Sequence, residues 1–186
     1  MEKEHDLGLE IGTDLPDFSS IIDPERLLRL HPHWHILAVE TGKEAVTASI
    51  KDHATGDTFT FHFELFFPRA PDWSTLMQVN TRNAALEQMT FFLKKGSVYV
   101  RTRFRDIKSP DLGMQAVELW IRGIRGYIRL YLKRTPNTLF FRWVMNRVML
   151  QMNPSQRKIC LMLFRFTLME IFVIILIAVG YFMFGP

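Results

Sequence analysis

The C-terminal end constrains this chain most. From Ile159 to Phe184 it runs 26 residues with two charges, Arg165 and Glu170, and from Ile171 onward with none. A helix rises about 1.5 Å per residue, so about 20 residues cross the hydrocarbon core of a bilayer. A chain of 186 residues makes one domain of usual size plus one extra segment. Such a domain has no room to surround a helix that is apolar on every side. The segment is therefore expected to be a single transmembrane helix. Arg147, Arg157, Lys158 and Arg165 precede it, and Gly185 and Pro186 follow. By the positive-inside rule the N-terminal domain then faces the cytoplasm. The expectation is a tail-anchored, single-pass membrane protein. Glu170 costs at least ~2.5 kcal/mol at depth in the bilayer. It is either an intramembrane contact with another subunit or a protonated or snorkelling group near the headgroups. Arg165, five residues earlier, is poorly spaced to pair with it.

Charge divides the chain in two. Residues 1–93 hold 7 Lys and Arg against 15 Asp and Glu, whereas residues 94–186 hold 16 against 4. The basic half calls for an anionic partner. No nucleic-acid-binding motif accompanies the charge, so an anionic membrane leaflet is the expected partner and nucleic acid is not. The single cysteine, Cys160, excludes a disulfide scaffold. The opening residues are acidic and lack the apolar core of a signal peptide.

Two helices are expected before the span. In Gly113–Arg134, Arg122, Arg125, Arg129 and Lys133 form one stripe, and Val117, Ile121, Ile124, Ile128, Tyr131 and Leu132 fall opposite. Ser109-Pro110-Asp111 supplies a start and Thr135-Pro136 a stop. Thr138–Met152 is a second, aromatic-rich helix with Arg142 and Arg147 as its cations, broken from the span by Asn153-Pro154. Aromatic and basic residues beside a span suit the membrane interface, where each cation contributes about 1 kcal/mol against an anionic leaflet. The expected membrane-surface set is Arg122, Arg125, Arg129, Lys133, Arg142, Arg147, Arg157 and Lys158.

The rest of the chain alternates with period two. Candidate strands are His33–Glu40, Ala45–Asp52, Asp57–Phe67 and Ser74–Asn80. Leu86–Phe104 reads as a hairpin turning at Lys95-Gly96, although helix propensity leaves Ala84–Lys94 open. Phe59, Phe61, Phe63, Leu65 and Phe67 share one strand face; Val98, Val100, Thr102 and Phe104 share another. Upstream, Asp23 can cap a short helix with Pro24 at its first position and Leu27, Leu28 and Leu30 inward. The simplest solution is α+β, a curved antiparallel sheet wrapped on a long helix. A basic amphipathic helix and one transmembrane helix follow. Three segments result: 1–134, an α+β domain; 135–158, an interfacial helix and linker; and 159–184, the span.

The run "DPERLLRLHPHWHILAVE" resembles the helix-to-strand passage of the SRPBCC or START-like helix-grip superfamily. "SPDLGMQAVELWIRGIRGYIRLY" sits where the C-terminal helix of that fold lies. The likeness covers roughly Asp6 to Lys133, its motifs are loose, and only Leu7–Gly12 can supply the first strand. It implies a helix-grip fold that binds an apolar small molecule (lipid, isoprenoid or quinone class) between sheet and helix. Carried onto this chain, the site would be Phe59, Phe61, Phe63, Val98, Val100, Ile121, Ile124 and Ile128. The added basic helix and membrane tail depart from a soluble carrier.

His31, His33 and His35 fall at every second position, so on one strand all three rings would leave one face. A metal needs three or four converging ligands, and a straight row spanning about 13–14 Å by strand rise needs help from elsewhere, with His62 or Glu64 as candidates. Pro32 instead favours a turn before the strand. The residues mark no catalytic set: no phosphate loop, cysteine pair or nucleophile elbow is present. Three functions stay open. The first is a cytoplasm-facing, bilayer-anchored domain binding an apolar molecule. The second is a non-catalytic accessory subunit of a larger membrane complex. The third is a metal-dependent membrane enzyme using the histidines.

Overall fold

The computed structural model describes residues 1–10, 17–42, 45–68, 75–82, 85–105, 110–132 and 135–184. The chain divides into two compact units, Met1–Gln151 and Met152–Pro186.

The first unit is α+β. Its elements run β1 (Glu2–Glu10), α1 (Phe18–Ile21), α2 (Pro24–Arg29), β2 (Trp34–Thr41), β3 (Val46–Asp52), β4 (Thr58–Phe66), β5 (Thr75–Thr81), β6 (Leu86–Lys94), β7 (Ser97–Phe104), α3 (Pro110–Leu132) and α4 (Pro136–Val144). A π-helical turn, Met145–Met149, follows α4. The seven strands form one open antiparallel sheet in the order β1-β7-β6-β5-β4-β3-β2. Neighbours in sequence pair directly from β2 to β7, and β1 returns to the far edge beside β7. The arm left open between helix and strand is strand β6. It is joined to β7 by a turn with Lys95 at φ 52° and Gly96 at φ 78°, the left-handed pair a two-residue hairpin requires.

β1 extends further towards the N-terminus than its apolar residues suggest. Only Leu7 and Leu9 are buried; the acidic start is held by ion pairs to neighbouring strands. Glu2 meets Arg101 at 3.1 Å, and Glu4 meets Lys94 at 2.7 Å and Arg101 at 3.2 Å. Those partners hold the Glu4 carboxyl below the usual range, chiefly by hydrogen bonds from Lys94 and then Arg101.

The core lies between the sheet's inner face and the helices. Asp23 caps α2 by accepting from the Arg26 amide, and Leu27, Leu28 and Leu30 are buried. Val98, Val100, Thr102 and Phe104 of β7 are buried while Arg101 and Arg103 are exposed, the alternation a half-buried strand demands. On α3 the buried stripe is Val117, Trp120, Ile121, Ile124, Tyr127 and Ile128; Tyr131 and Leu132 are only partly buried. α3 approaches α2 closely at Gly123, where a Cβ would overlap the Leu30 carbonyl oxygen. Only a glycine fits there.

The second unit is α5 (Pro154–Phe184), a 31-residue helix. Its Pro154–Met183 stretch is long and apolar enough to cross a membrane. Its apolar side chains, such as Phe166, Ile174 and Phe182, stand exposed.

Candidate functional site

The α2–β2 junction and the middle of α3 meet around His31. β2 begins at Trp34, so His31 and His33 precede the strand and only His35 lies within it. The single-faced row does not form: Pro32 keeps this segment in a turn, and Trp34 and Ile36 are the residues β2 turns inward. His31 is itself buried. Its Nδ1 accepts the His33 amide at 3.3 Å, which leaves the proton on Nε2 to donate to the Ala116 carbonyl of α3 at 3.2 Å. Its ring stacks on Trp34 with centroids 4.1 Å apart, and Trp34 packs on Trp120 and Phe61 at 5.3 and 5.2 Å. Burial is the main cause that lowers the His31 pKa to about 4, against a smaller opposing pull from the Asp52 carboxylate. His31 is thus a neutral clamp between α3 and the strand that follows α2. Both ring nitrogens are engaged, and among the described residues no three His, Cys, Asp or Glu side chains are placed to hold a metal ion.

Two residues that periodicity did not single out lock α3 in place. Trp120 Nε1 donates to the Leu27 carbonyl at 2.7 Å. The Tyr127 hydroxyl lies 2.8 Å from Asn146 Oδ1 and 3.0 Å from the Tyr131 hydroxyl. Burial raises the Tyr127 pKa well above that of an ordinary phenol. The available signal was chemical: a Trp or Tyr on a buried helix face needs a partner for its polar end.

The residues that the resemblance implies for ligand contact come together between sheet and helix. Phe61, Phe63, Val98, Val100, Ile121, Ile124 and Ile128 are buried, and Phe59 is partly buried. Phe63, Val98, Val100, Ile124 and Ile128 have 0% accessible surface. A void large enough for a water molecule would leave accessible surface on its lining, so these five pack against protein atoms. Leu65 near the end of β4 and Phe67 just beyond it are only partly buried, as is Met114 near the start of α3. The register runs from Leu65 through Val79, Met89 and Thr102 to Lys3, whose amine lies 3.9 Å from Glu118 of α3.

The cations sit in different surroundings. On the sheet's outer side Lys94, Arg101 and Arg103 face Glu2 and Glu4. On α3, Arg122, Arg125 and Arg129 are exposed and make no ion pair among the described residues. Arg122 and Arg125 border a cleft of about 220 Å³ against β1, also lined by Asp6 and Glu118. Arg142 is engaged inside the fold: it donates to the Leu130 carbonyl at 3.0 and 3.2 Å and sits 4.4 Å from the Tyr131 ring centroid. Arg147 and Lys158 are exposed, and Arg157 donates to the Met152 carbonyl at 3.0 Å. Lys133 lies outside the described residues. Glu170 sits midway along α5, beside Phe166, Met169, Val173 and Ile174.

Comparison with models of known families, with curated proteins and with solved structures returned no match.

Proposed function

We propose that this chain is a single-pass membrane protein whose N-terminal unit is a helix-grip domain on the cytoplasmic side. In this reading it takes up an apolar small molecule of the lipid, isoprenoid or quinone class from the bilayer. The observation that carries the reading is topological. A seven-stranded antiparallel sheet in the order β1-β7-β6-β5-β4-β3-β2, with two short helices between β1 and β2, is backed by one long helix after β7. That order is compatible with a sheet gripping a helix, and the chain adds a helix long and apolar enough to cross the bilayer, where apolar molecules are stored. The arginines of α3, without ion-pair partners among the described residues, suit an anionic leaflet. With Phe63 and Ile124 tightly packed, this reading assigns ligand contact to the apolar residues that are only partly buried, Leu65, Phe67 and Met114.

Mass spectrometry of the protein purified in mild detergent tests this. A near-stoichiometric apolar molecule is expected, with at least a tenfold loss in Leu65→Trp, which adds bulk at the proposed contact. Absence of any such molecule in the wild-type protein refutes it. The packed interior favours a second reading, a solid accessory subunit of a membrane assembly with Glu170 facing a partner helix. Size analysis after gentle solubilisation separates the two: a liganded monomer supports the first, a stable hetero-complex without ligand the second.

A further inference from the structure

α4 turns an aromatic face outwards. Leu139, Phe140, Phe141 and Trp143 are 54%, 57%, 43% and 59% exposed, and the Phe140 and Trp143 rings stack at 6.5 Å. A nine-residue helix free to roll would bury such a face, but this one is fixed. Thr135 caps it and forms a reciprocal capping box with Thr138. Arg142 ties it to the Leu130 carbonyl, and Asn146 of the π-helical turn donates to the Tyr131 hydroxyl at 2.9 Å. Met145 packs on the core. The inward side of the segment is thus held by the fold, and the aromatic side has no cover among the described residues.

The surrounding charge says what covers it. Residues 119–169 contain ten Lys and Arg and no Asp or Glu. Four residues of chain, Leu150–Asn153, separate the π-helical turn from α5. Clustered large apolar side chains beside cations, next in sequence to a membrane-crossing helix, match a bilayer interface: rings among the upper acyl chains and guanidinium groups among phosphates. We propose that α4 lies in the interface of the bilayer that α5 crosses, as a second membrane contact. The leaflet that it enters is anionic. The inference rests on α5 crossing the bilayer and is independent of ligand uptake.

The test uses the full chain in vesicles of mixed neutral and anionic phospholipid, with or without bromine on the upper acyl chains. Bromine quenches tryptophan on contact. Wild type, Trp143→Phe and Trp73→Phe are compared. At least a twofold drop in lipid-quenchable emission is expected for Trp143→Phe relative to wild type, with Trp73→Phe keeping the Trp143 signal. An alkaline wash of the same vesicles reports α5 separately. A chain that alkali strips away overturns the span and this inference together. A chain that stays, with quenching unchanged by Trp143→Phe, overturns this inference alone. Shielding of Trp143 from both bromine and aqueous acrylamide also overturns it, because a protein partner then covers the face.

Discussion

Acid should unlatch α3 through His31. In the folded state its pKa is about 4 instead of 6.5, because burial disfavours the charged ring. The folded value lies below the unfolded one. The neutral ring's contribution is therefore whole above pH 6.5 and is lost as the pH falls towards 4. At 1.36 kcal/mol per tenfold change in proton affinity, the full loss is about 3 kcal/mol, most of it reached by pH 4.5. His31→Gln removes the titration but keeps a donor for the Ala116 carbonyl. It should cost about 1–2 kcal/mol at pH 7.5, from lost stacking on Trp34. The assay is urea unfolding of both full-length proteins in mild detergent, followed by tryptophan emission, since Trp34 and Trp120 flank the ring. Wild type should be the more stable at pH 7.5 and the less stable at pH 4.5, the two lines crossing between about pH 5 and 6. Parallel lines over that range would refute the buried neutral clamp.

Three further outcomes follow from the same packing. Gly123→Ala should destabilise the domain by more than about 2 kcal/mol, because the new methyl meets the Leu30 carbonyl. Gly126→Ala, which meets nothing, should be neutral or stabilising by up to about 1 kcal/mol; thermal melts of the pair check both. Trp120→Phe leaves the Leu27 carbonyl without its donor and should cost about 2 kcal/mol, read as a lower urea midpoint. Glu170→Leu should ease insertion of α5 by about 2.5 kcal/mol in a glycosylation-mapping assay; an unchanged insertion ratio would mean that Glu170 sits outside the hydrocarbon.

Much of the first unit was legible because its strands bury one face only. The Phe59–Phe67 alternation of β4 and the Val98–Phe104 alternation of β7 carry the period of a half-buried sheet, and Lys95-Gly96 marks its hairpin turn. Asp23-Pro24 announced α2, and the isoleucines and arginines of α3 announced its two sides. What stayed hidden depends on partners distant in sequence. The acidic start of β1 is held by Lys94 and Arg101, about a hundred residues away, so no local pattern could show it. His31, His33 and His35 suggested a shared face because alternation says nothing about where a strand begins. The bond from Arg142, expected at the membrane surface, to the Leu130 carbonyl of another helix carries no local signal. Composition could name the apolar residues of the ligand expectation. Only the folded packing shows Phe63 and Ile124 pressed against protein atoms while Leu65 and Phe67 are partly buried.

Everything proposed about the bilayer depends on α5 being solvated by lipid. The most direct measurement is extraction of native membranes with alkaline carbonate, with the chain followed by immunoblot. The protein should stay in the pellet and leave it only with detergent. Full release into the carbonate supernatant would mean that α5 is covered by protein and that the bilayer is not its solvent.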